Sequence, residues 1–265
     1  MKRIRSGYGL GDNLYLQSIV RHLLGNGEKL QICTDYPEVF LPVKDRVSFD
    51  SFSRHNINIL AHYTQGKKVQ GTTQFQDMCI SAKLTGKVEL KLDWKIQNQA
   101  LINSIPNDKP IVCILIPRSP MDRKDNFGKE IMPDCAVLDH ITSMLDATII
   151  QLGSGKPLYE LANIDIDFAN KTTITDMIDV ASIADYFLGY CSFFIPLSES
   201  FNKPALFVWS STIPMAESWF IRAITPEKVL HKPTSYYVMD DWSEERINNV
   251  VETVFDLRRN CRKVS

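Results

Sequence analysis

At 265 residues the chain is long enough for one large domain or two compact ones. Its content of 44% hydrophobic, 23% charged and 10% aromatic residues is that of an ordinary soluble globular protein, and no apolar run approaches the roughly 18–20 residues that span a bilayer. A net charge of −1 removes any global electrostatic case for nucleic acid or an anionic membrane as partner, although a local basic groove could sit inside a neutral total.

The opening MKRIRSGYGLGD has basic residues without an apolar core behind them, so it does not read as a signal peptide, and a cytoplasmic protein is expected. Six cysteines (Cys33, Cys79, Cys113, Cys135, Cys191, Cys261) are scattered without a CxxC pair, several of them inside strand-like runs such as ICT and IVCILI. Buried free thiols of a reducing compartment are expected. The five histidines show no HExxH or other ligand spacing, so neither a metal nor a cofactor is expected.

Along the chain, short apolar runs alternate with amphipathic stretches, the pattern of a parallel sheet with crossover helices. A very short possible strand leads into a glycine-rich loop. Apolar spacing at Leu16, Ile19, Val20, Leu23 and Leu24 then predicts a helix over 14–24, with Gly25 and Gly27 as its stop. KLQICT and INILAHY predict strands, TQFQDMCISAKL a helix and VELKLDW a further short strand, whereas KDRVSFDSFSRHN reads as a solvated loop. Lys95–Lys109 is polar; its middle fits a helix and IPNDKP a linker.

The alternation then restarts. PIVCILIP is a continuous apolar run, as expected of a strand buried on both faces. A helix fits Pro133–Leu145, a strand ATIIQLGSG, and a helix Thr175–Ile183. DYFLGY predicts a strand, Ile195–Phe201 contains a short helix, PALFVWS predicts a strand, and Ser243–Arg259 a closing helix. The fold class is α/β, with Rossmann-like βαβ halves over 1–105 and 106–265.

The segment Ser6-Gly7-Tyr8-Gly9-Leu10-Gly11-Asp12-Asn13-Leu14 carries the chemistry most directly. Glycines there let backbone approach a ligand, and the following helix presents free N–H groups and a positive dipole end. The same residues also suit a tight turn capped by Asp12. The spacing is G-x-G-x-G-D, not the G-x-G-x-x-G of a dinucleotide fingerprint, although Asp35 lies about the right distance away for a ribose ligand.

SGYGLGDNLYLQSIVRHL resembles the opening of glycosyltransferase family nine, the heptosyltransferases, whose chains start with a glycine-rich loop ending G-D and then a helix. A second resemblance runs from QLGSGK through KTTITDMIDVASIADYFLGYCSFFIPLSESFNKPALFVWS, in the expected order and distance. The two touch about a third of the chain. They imply a GT-B fold with the active site in the cleft between two domains, the acceptor side first and the nucleotide-sugar side second. They imply Asp12 as the general base that deprotonates the acceptor hydroxyl, with Gly7, Gly9, Gly11 and Asn13 forming the acceptor-side loop.

The chain departs from the family at the donor loop. Cys191, Ser192 and Phe193 stand where an acid, a small hydroxyl residue and glycine are usual, and Phe194-Ile195-Pro196 where histidine is. Ser192 carries over as a donor-binding residue, and Ser198, Glu199 and Ser200 are polar candidates for sugar hydroxyls or for capping a short helix. In the loop after PIVCILI, Arg118, Arg123, Lys124 and Lys129 lie beyond the C-terminal end of a strand, where α/β proteins bind anions. Leaving-group charge on a nucleoside diphosphate calls for such a cation when no metal is bound, and Arg118 is the first choice. The family's lysine before a Trp-Pro pair corresponds to Lys129 before Met132-Pro133, one place out of register. Gly153 and Gly155 either approach the nucleotide or shape a turn.

The expected activity is inverting, metal-independent transfer from a nucleotide-sugar to a hydroxyl acceptor, a saccharide or lipid-linked core. The alternatives are a phage-type transferase acting on a modified DNA base and a non-catalytic nucleotide-sugar-binding module of the same fold.

Overall fold

Two parallel sheets form the chain, and the computed structural model describes residues 1–51, 55–63, 72–116, 132–216 and 222–256, with the backbone of 118–119. The first sheet is built from β1 (Lys2–Arg5), β2 (Leu30–Cys33), β3 (Val47–Asp50) and β4 (Ile59–Leu60), in the order β3-β2-β1-β4. Helix α1 (Leu10–Gly25) follows β1 and buries Leu14, Leu16, Ile19, Val20, Leu23 and Leu24, more than one apolar stripe, because it is covered on several sides. A 3-10 stretch, Pro37–Arg46, joins β2 to β3. Helix α2 (Gln74–Ser81) starts at a capping box in which Thr73 Oγ1 accepts from Gln76 N and Gln76 Oε1 accepts from Thr73 N. The short α3 (Gln99–Asn103) is capped by the Asn98 side chain.

The second sheet contains β5 (Ile111–Leu115), β7 (Thr148–Leu152), β9 (Ile166–Asp167), β10 (Tyr186–Tyr190), β11 (Ala205–Trp209) and β12 (Ser235–Met239). A separate small antiparallel pair joins β6 (Arg118–Ser119) to β8 (Lys156–Pro157). The strand order β12-β11-β10-β5-β7-β9 is that of a doubly wound Rossmann sheet read from its last strand. Helices α4 (Cys135–Ser143), α5 (Ile174–Ile183), α6 (Phe194–Ser200), α7 (Pro226–Val229) and α8 (Glu244–Val254) complete the chain.

Every residue of β5, β7 and β11 is buried, as a sheet covered on both faces requires. The period of two divides them cleanly. Val112, Ile114, Leu188, Leu206 and Val208 face Leu138 and Ile141 of α4 and Ile247 and Val251 of α8. Cys113, Leu115, Phe187, Phe207 and Trp209 join a core that runs on through α1 to Ile4 and Ile32 of the first sheet. One apolar core therefore spans both halves, each fully buried large side chain contributing about 1.5–3 kcal/mol.

The tertiary structure departs from the sequence expectations in particular places. VSFD, expected in a solvated loop, is β3, held by parallel pairing with Leu30–Cys33. VELKLDW is extended but pairs with no strand: Lys91 N donates to Ser18 Oγ and Leu92 N to Ser200 O, so it runs between α1 and α6 with Val88, Leu90 and Leu92 buried. INILAHY pairs only over Ile59–Leu60. Strands β9 and β12 were not expected from the sequence, being short or lined by half-exposed residues.

A buried carboxylate ties the connecting segment to the second half. Asp179 of α5, fully buried, accepts from Trp94 Nε1 (2.6 Å), Gln97 N (3.0 Å) and Asn98 N (2.6 Å). Beside it, Asn98 Nδ2 donates to Asp176 Oδ1 at 2.8 Å. Removing that buried acceptor takes three charge-assisted hydrogen bonds from half-buried Trp94 and Asn98 and from Gln97. Asp179→Ala should therefore cost about 3 kcal/mol of unfolding free energy, read from a urea titration. An unchanged midpoint would show that the segment is held by packing alone.

Candidate functional site

In an open parallel sheet, ligands meet the chain where successive strands turn off in opposite directions. The first sheet has that point between β1 and β4, and the second between β5 and β10. At the first, the chain leaving β1 forms the glycine-rich loop and enters α1, while Ala61–Tyr63 follow β4. Ala61 N donates to Arg5 O at 2.9 Å, so the two exits run side by side.

Asp12 lies in the first turn of α1 and is half-buried. Its Oδ2 accepts from Gly9 N at 3.2 Å; the N-cap of α1 is Gly9 and Asp12 is the third helical residue reaching back to it, so Asp12 is not the N-cap the sequence suggested. The carboxyl group also explains Gly7. A Cβ at that position would stand 2.1 Å from Asp12 Oδ2 and 2.6 Å from its Cγ, so the space, not the backbone angle, demands glycine. Asn13 is buried. Its Nδ2 donates to Gly9 O at 2.8 Å and its Oδ1 accepts from Thr34 Oγ1 at 2.8 Å, which pins the loop to the end of β2. Asn13 thus shapes the glycine-rich loop from behind. Burial raises the Asp12 pKa above the ordinary carboxyl value; the Gly9 N–H and the nearby His62 imidazole pull it back down.

At the second point, β10 ends in Cys191, Ser192 and Phe193. Ser192 Oγ accepts from Phe194 N at 3.3 Å, capping the first turn of α6. Gly11 abuts this turn directly: a Cβ on it would lie 3.3 Å from Phe193 Cα and 3.4 Å from the Pro196 ring. The residues that replace the family's usual donor-loop set are thus the surface on which α1 rests. Burial pushes the Cys191 thiol up to about 12, and burial together with the charges of Asp12 and Cys191 raises the Tyr63 phenol. Burial also raises the Tyr15 phenol, in the field of Glu199, Cys191, Asp12 and Tyr63. His62 and Tyr63 are in direct contact, their rings stacked with centroids 4.8 Å apart.

The remaining expected residues divide. Gly153 (φ 115°) and Gly155 (φ 90°) take left-handed conformations at the end of β7, and Asn170 closes their turn by accepting from Gly155 N at 2.6 Å and donating to Gly155 O at 3.0 Å. The β6–β8 pair brings the backbone of Arg118 beside that turn. The Arg118 side chain, Arg123, Lys124 and Lys129 lie outside the described residues.

Ser198 and Glu199 have no exposed surface, contrary to their reading as groups offered to a sugar. Ser198 Oγ donates to Ile195 O at 3.0 Å within α6. Glu199 Oε1 accepts from His231 N (2.7 Å), Lys232 N (3.0 Å) and Ser235 Oγ (2.9 Å), holding the turn before β12. Its Oε2 and the Tyr15 hydroxyl have no hydrogen-bond partner among the described residues, and burial raises the Glu199 pKa to about 7. His231 also reaches the first half, its Nδ1 lying 2.9 Å from Thr73 Oγ1 and its ring edge-on to Phe75.

His62, Tyr63 and Tyr15 were not found from the sequence. The available signal was the His-Tyr pair directly after INILA, meaningful only once that run is known to lie beside β1. Among the described residues no group of three or more His, Cys, Asp or Glu side chains could hold a metal ion.

No family model matches the sequence, and no curated protein is similar to it in sequence. Solved structures are similar in fold. ADP-heptose LPS heptosyltransferase II of E. coli superposes with a TM-score of 0.67 at 9% identity, over 98% of this chain and 100% of that one. A family 9 glycosyltransferase of Veillonella parvula gives 0.62 at 10% identity, over 96% and 97%. The iron-containing dodecameric glycosyltransferase TibC of enterotoxigenic E. coli gives 0.55 at 15% identity, over 88% of this chain and 63% of that one, so the chain spans less than two thirds of TibC's length. The architecture is GT-B, two Rossmann-like units with their switch points face to face.

The close approach of Gly7 to Asp12 is testable as a coupling. Gly7→Ala should cost about 1–3 kcal/mol by overpacking in the native background. In an Asp12→Ala background, where the obstructing carboxyl is gone, the same substitution should cost under about 0.5 kcal/mol. Equal costs would mean that some other neighbour excludes the methyl.

Glu199 gives a pH dependence. Between the ordinary value of 4.5 and about 7 the folded protein keeps a proton that the unfolded chain has released. Folding then takes up a proton, so stability falls as pH rises through that window and levels off above it. Glu199→Gln, neutral throughout, should gain on the native chain by up to about 3 kcal/mol between pH 4.5 and 8 in urea titrations. Parallel stability curves for the two proteins would refute the shift.

Proposed function

We propose that the chain is a glycosyltransferase that moves a sugar from a nucleotide-sugar donor to a hydroxyl acceptor, with Asp12 as general base. The observation that carries this reading is the Asp12 carboxylate in the first turn of α1 at the first switch point, with Gly11 of the same turn in contact with Phe193 and Pro196 at the second. One switch point would hold the acceptor and the other the donor diphosphate, and the reacting atoms would meet between them. The likeness of fold to transferases, one named for ADP-heptose, supports that assignment and makes ADP-heptose the first donor to test.

The step follows from the placement of one carboxylate. The acceptor oxygen attacks the anomeric carbon as the bond to the diphosphate oxygen breaks, and Asp12 takes the hydroxyl proton. Attack from the face opposite the leaving group inverts the anomeric centre. Negative charge then develops on the departing diphosphate, and we assign Arg118 and Lys129 to it, together with the backbone amides around Ser192 and Gly153. With these cations supplying the charge, transfer is metal-independent. A saccharide or lipid-linked acceptor fits the neutral net charge better than DNA does. The described cysteines are free thiols, which supports a reducing cytoplasm as the compartment, and no described helix is long and apolar enough to cross a membrane.

A thermal-shift series tests the donor, because a ligand bound only by the folded state raises its melting temperature. ADP-heptose and other nucleoside diphosphate sugars should stabilise the chain and NAD should not. A shift with NAD alone would remove the transferase reading. With a donor in hand, Asp12→Asn should lower turnover by about 10²–10⁴-fold while leaving the donor-induced shift unchanged. EDTA should not alter turnover. A shift with ADP-heptose and no transfer by the native chain to any saccharide would instead mark a binding module.

A further inference from the structure

Strand β12 is an edge of the second sheet, and the bonds around it fix which of its backbone groups look outward. Its parallel pairing with β11 runs from Ala205 beside Ser235 to Trp209 beside Met239. Ala205 N donates to Thr234 O and Asp240 N to Trp209 O, both at 3.0 Å, so the ladder uses the even-numbered residues of the strand. The N–H and C=O groups of Ser235, Tyr237 and Met239 therefore point away from β11.

Two of these groups are taken within the chain. Ser235 N donates to Lys232 O at 3.1 Å, and Met239 O accepts from Trp242 N at 3.2 Å. The Ser235 C=O, the Tyr237 N–H and C=O and the Met239 N–H have no hydrogen-bond partner among the described residues. Such an edge is normally blunted by proline, lysine or a bulge. SYYVM contains no proline and no charge, and its register with β11 is unbroken.

The groups left over are complementary to themselves. Directly opposed residues of an antiparallel pair exchange N–H and C=O. A two-fold axis at Tyr237 provides that exchange between the two copies of Tyr237, and it sets each Met239 N–H against the Ser235 C=O of the other copy. The groups opposed in the same register but already used, Ser235 N and Met239 O, are the two satisfied within the chain. Tyr236, 37% exposed, comes opposite Val238 of the second copy. Antiparallel pairing also lays the acidic end of each strand, Asp240 and Asp241, beside the start of the other, at His231 and Lys232.

We propose that β12 pairs with β12 of a second copy of this chain, antiparallel about a two-fold axis at Tyr237, so that the two larger sheets become one continuous sheet. A closed two-fold contact of this kind stops at the dimer. An interface of one strand and one tyrosine pair is small, so the dimer dissociates on dilution.

Sedimentation equilibrium of the native chain over a wide concentration range should show the mass rising from one chain to two. Amide exchange under the same conditions reads the contact itself. The Tyr237 and Met239 N–H groups should exchange about ten-fold more slowly in the dimer than after dilution, while Tyr236 and Val238, bonded to β11, keep their rates. Tyr237→Lys and Tyr237→Glu should each be monomeric, because like charges meet across the axis, and an equal mixture of the two should dimerise again. A native chain that stays monomeric, a dimer in which the Tyr237 and Met239 amides exchange as in the monomer, or a mixture that does not re-associate would overturn the proposal. If the substituted chains do not fold, the exchange measurement on the native chain decides.

Discussion

The structure depends on the approach of two helix starts to within van der Waals contact. The first turn of α1 and the first turn of α6 emerge from facing switch points, and Gly11 lets them touch through Phe193 and Pro196. A side chain on Gly11 would have to displace backbone on the opposite half. The contact brings the segment after β10 up to the start of α1. It also lets a single apolar core pass from Ile4 and Ile32 through α1 to Phe194 and Leu197.

Such a core buries polar groups along with apolar ones, and the chain answers with carboxylates used as acceptors for backbone N–H groups. Asp179 gathers donors from Trp94, Gln97 and Asn98; Glu199 gathers them from His231, Lys232 and Ser235. Each carboxylate sits on a helix of the second half and holds a segment that reaches toward the first. Removing such a partner exposes the full desolvation cost of what it satisfied, so these residues act on the geometry of the cleft without touching it. Glu199 and Tyr15 each leave one polar atom unsatisfied among the described residues, and Tyr15 lies in the field of Glu199.

At Asp12 two physical demands oppose each other. Half-burial favours the neutral acid, which could not accept a proton, whereas the Gly9 N–H and the His62 ring favour the carboxylate. The glycine loop contributes both sides of that balance: Gly7 makes room for the carboxyl to turn inward, and Gly9 offers it a hydrogen bond. The carboxylate that closes the turn at the start of α1 through Oδ2 is the one proposed above as the base.

The sequence by itself determined the α/β class, the restart of the alternation near residue 105, the buried strands such as IVCIL and ALFVW, and a helix behind the glycine-rich loop. These are local matters: a period of two or 3.6, a run of apolar residues, a cap before a helix. Only the tertiary structure decided that VSFD is a strand, that VELKLDW is not, that Ser198 and Glu199 face inward, and that Ala61–Tyr63 leave the sheet beside the end of β1. Each of these turns on a neighbour far along the chain. VSFD needs β2, and VELKLDW finds Ser18 and Ser200 in place of a strand. Glu199 needs the turn before β12. Ala61–Tyr63 leave beside the end of β1 only because β4 pairs with β1 across more than fifty residues. Parallel pairing joins strands that no short-range pattern connects, so the chemistry assembled at their ends becomes visible only once the sheet order is known.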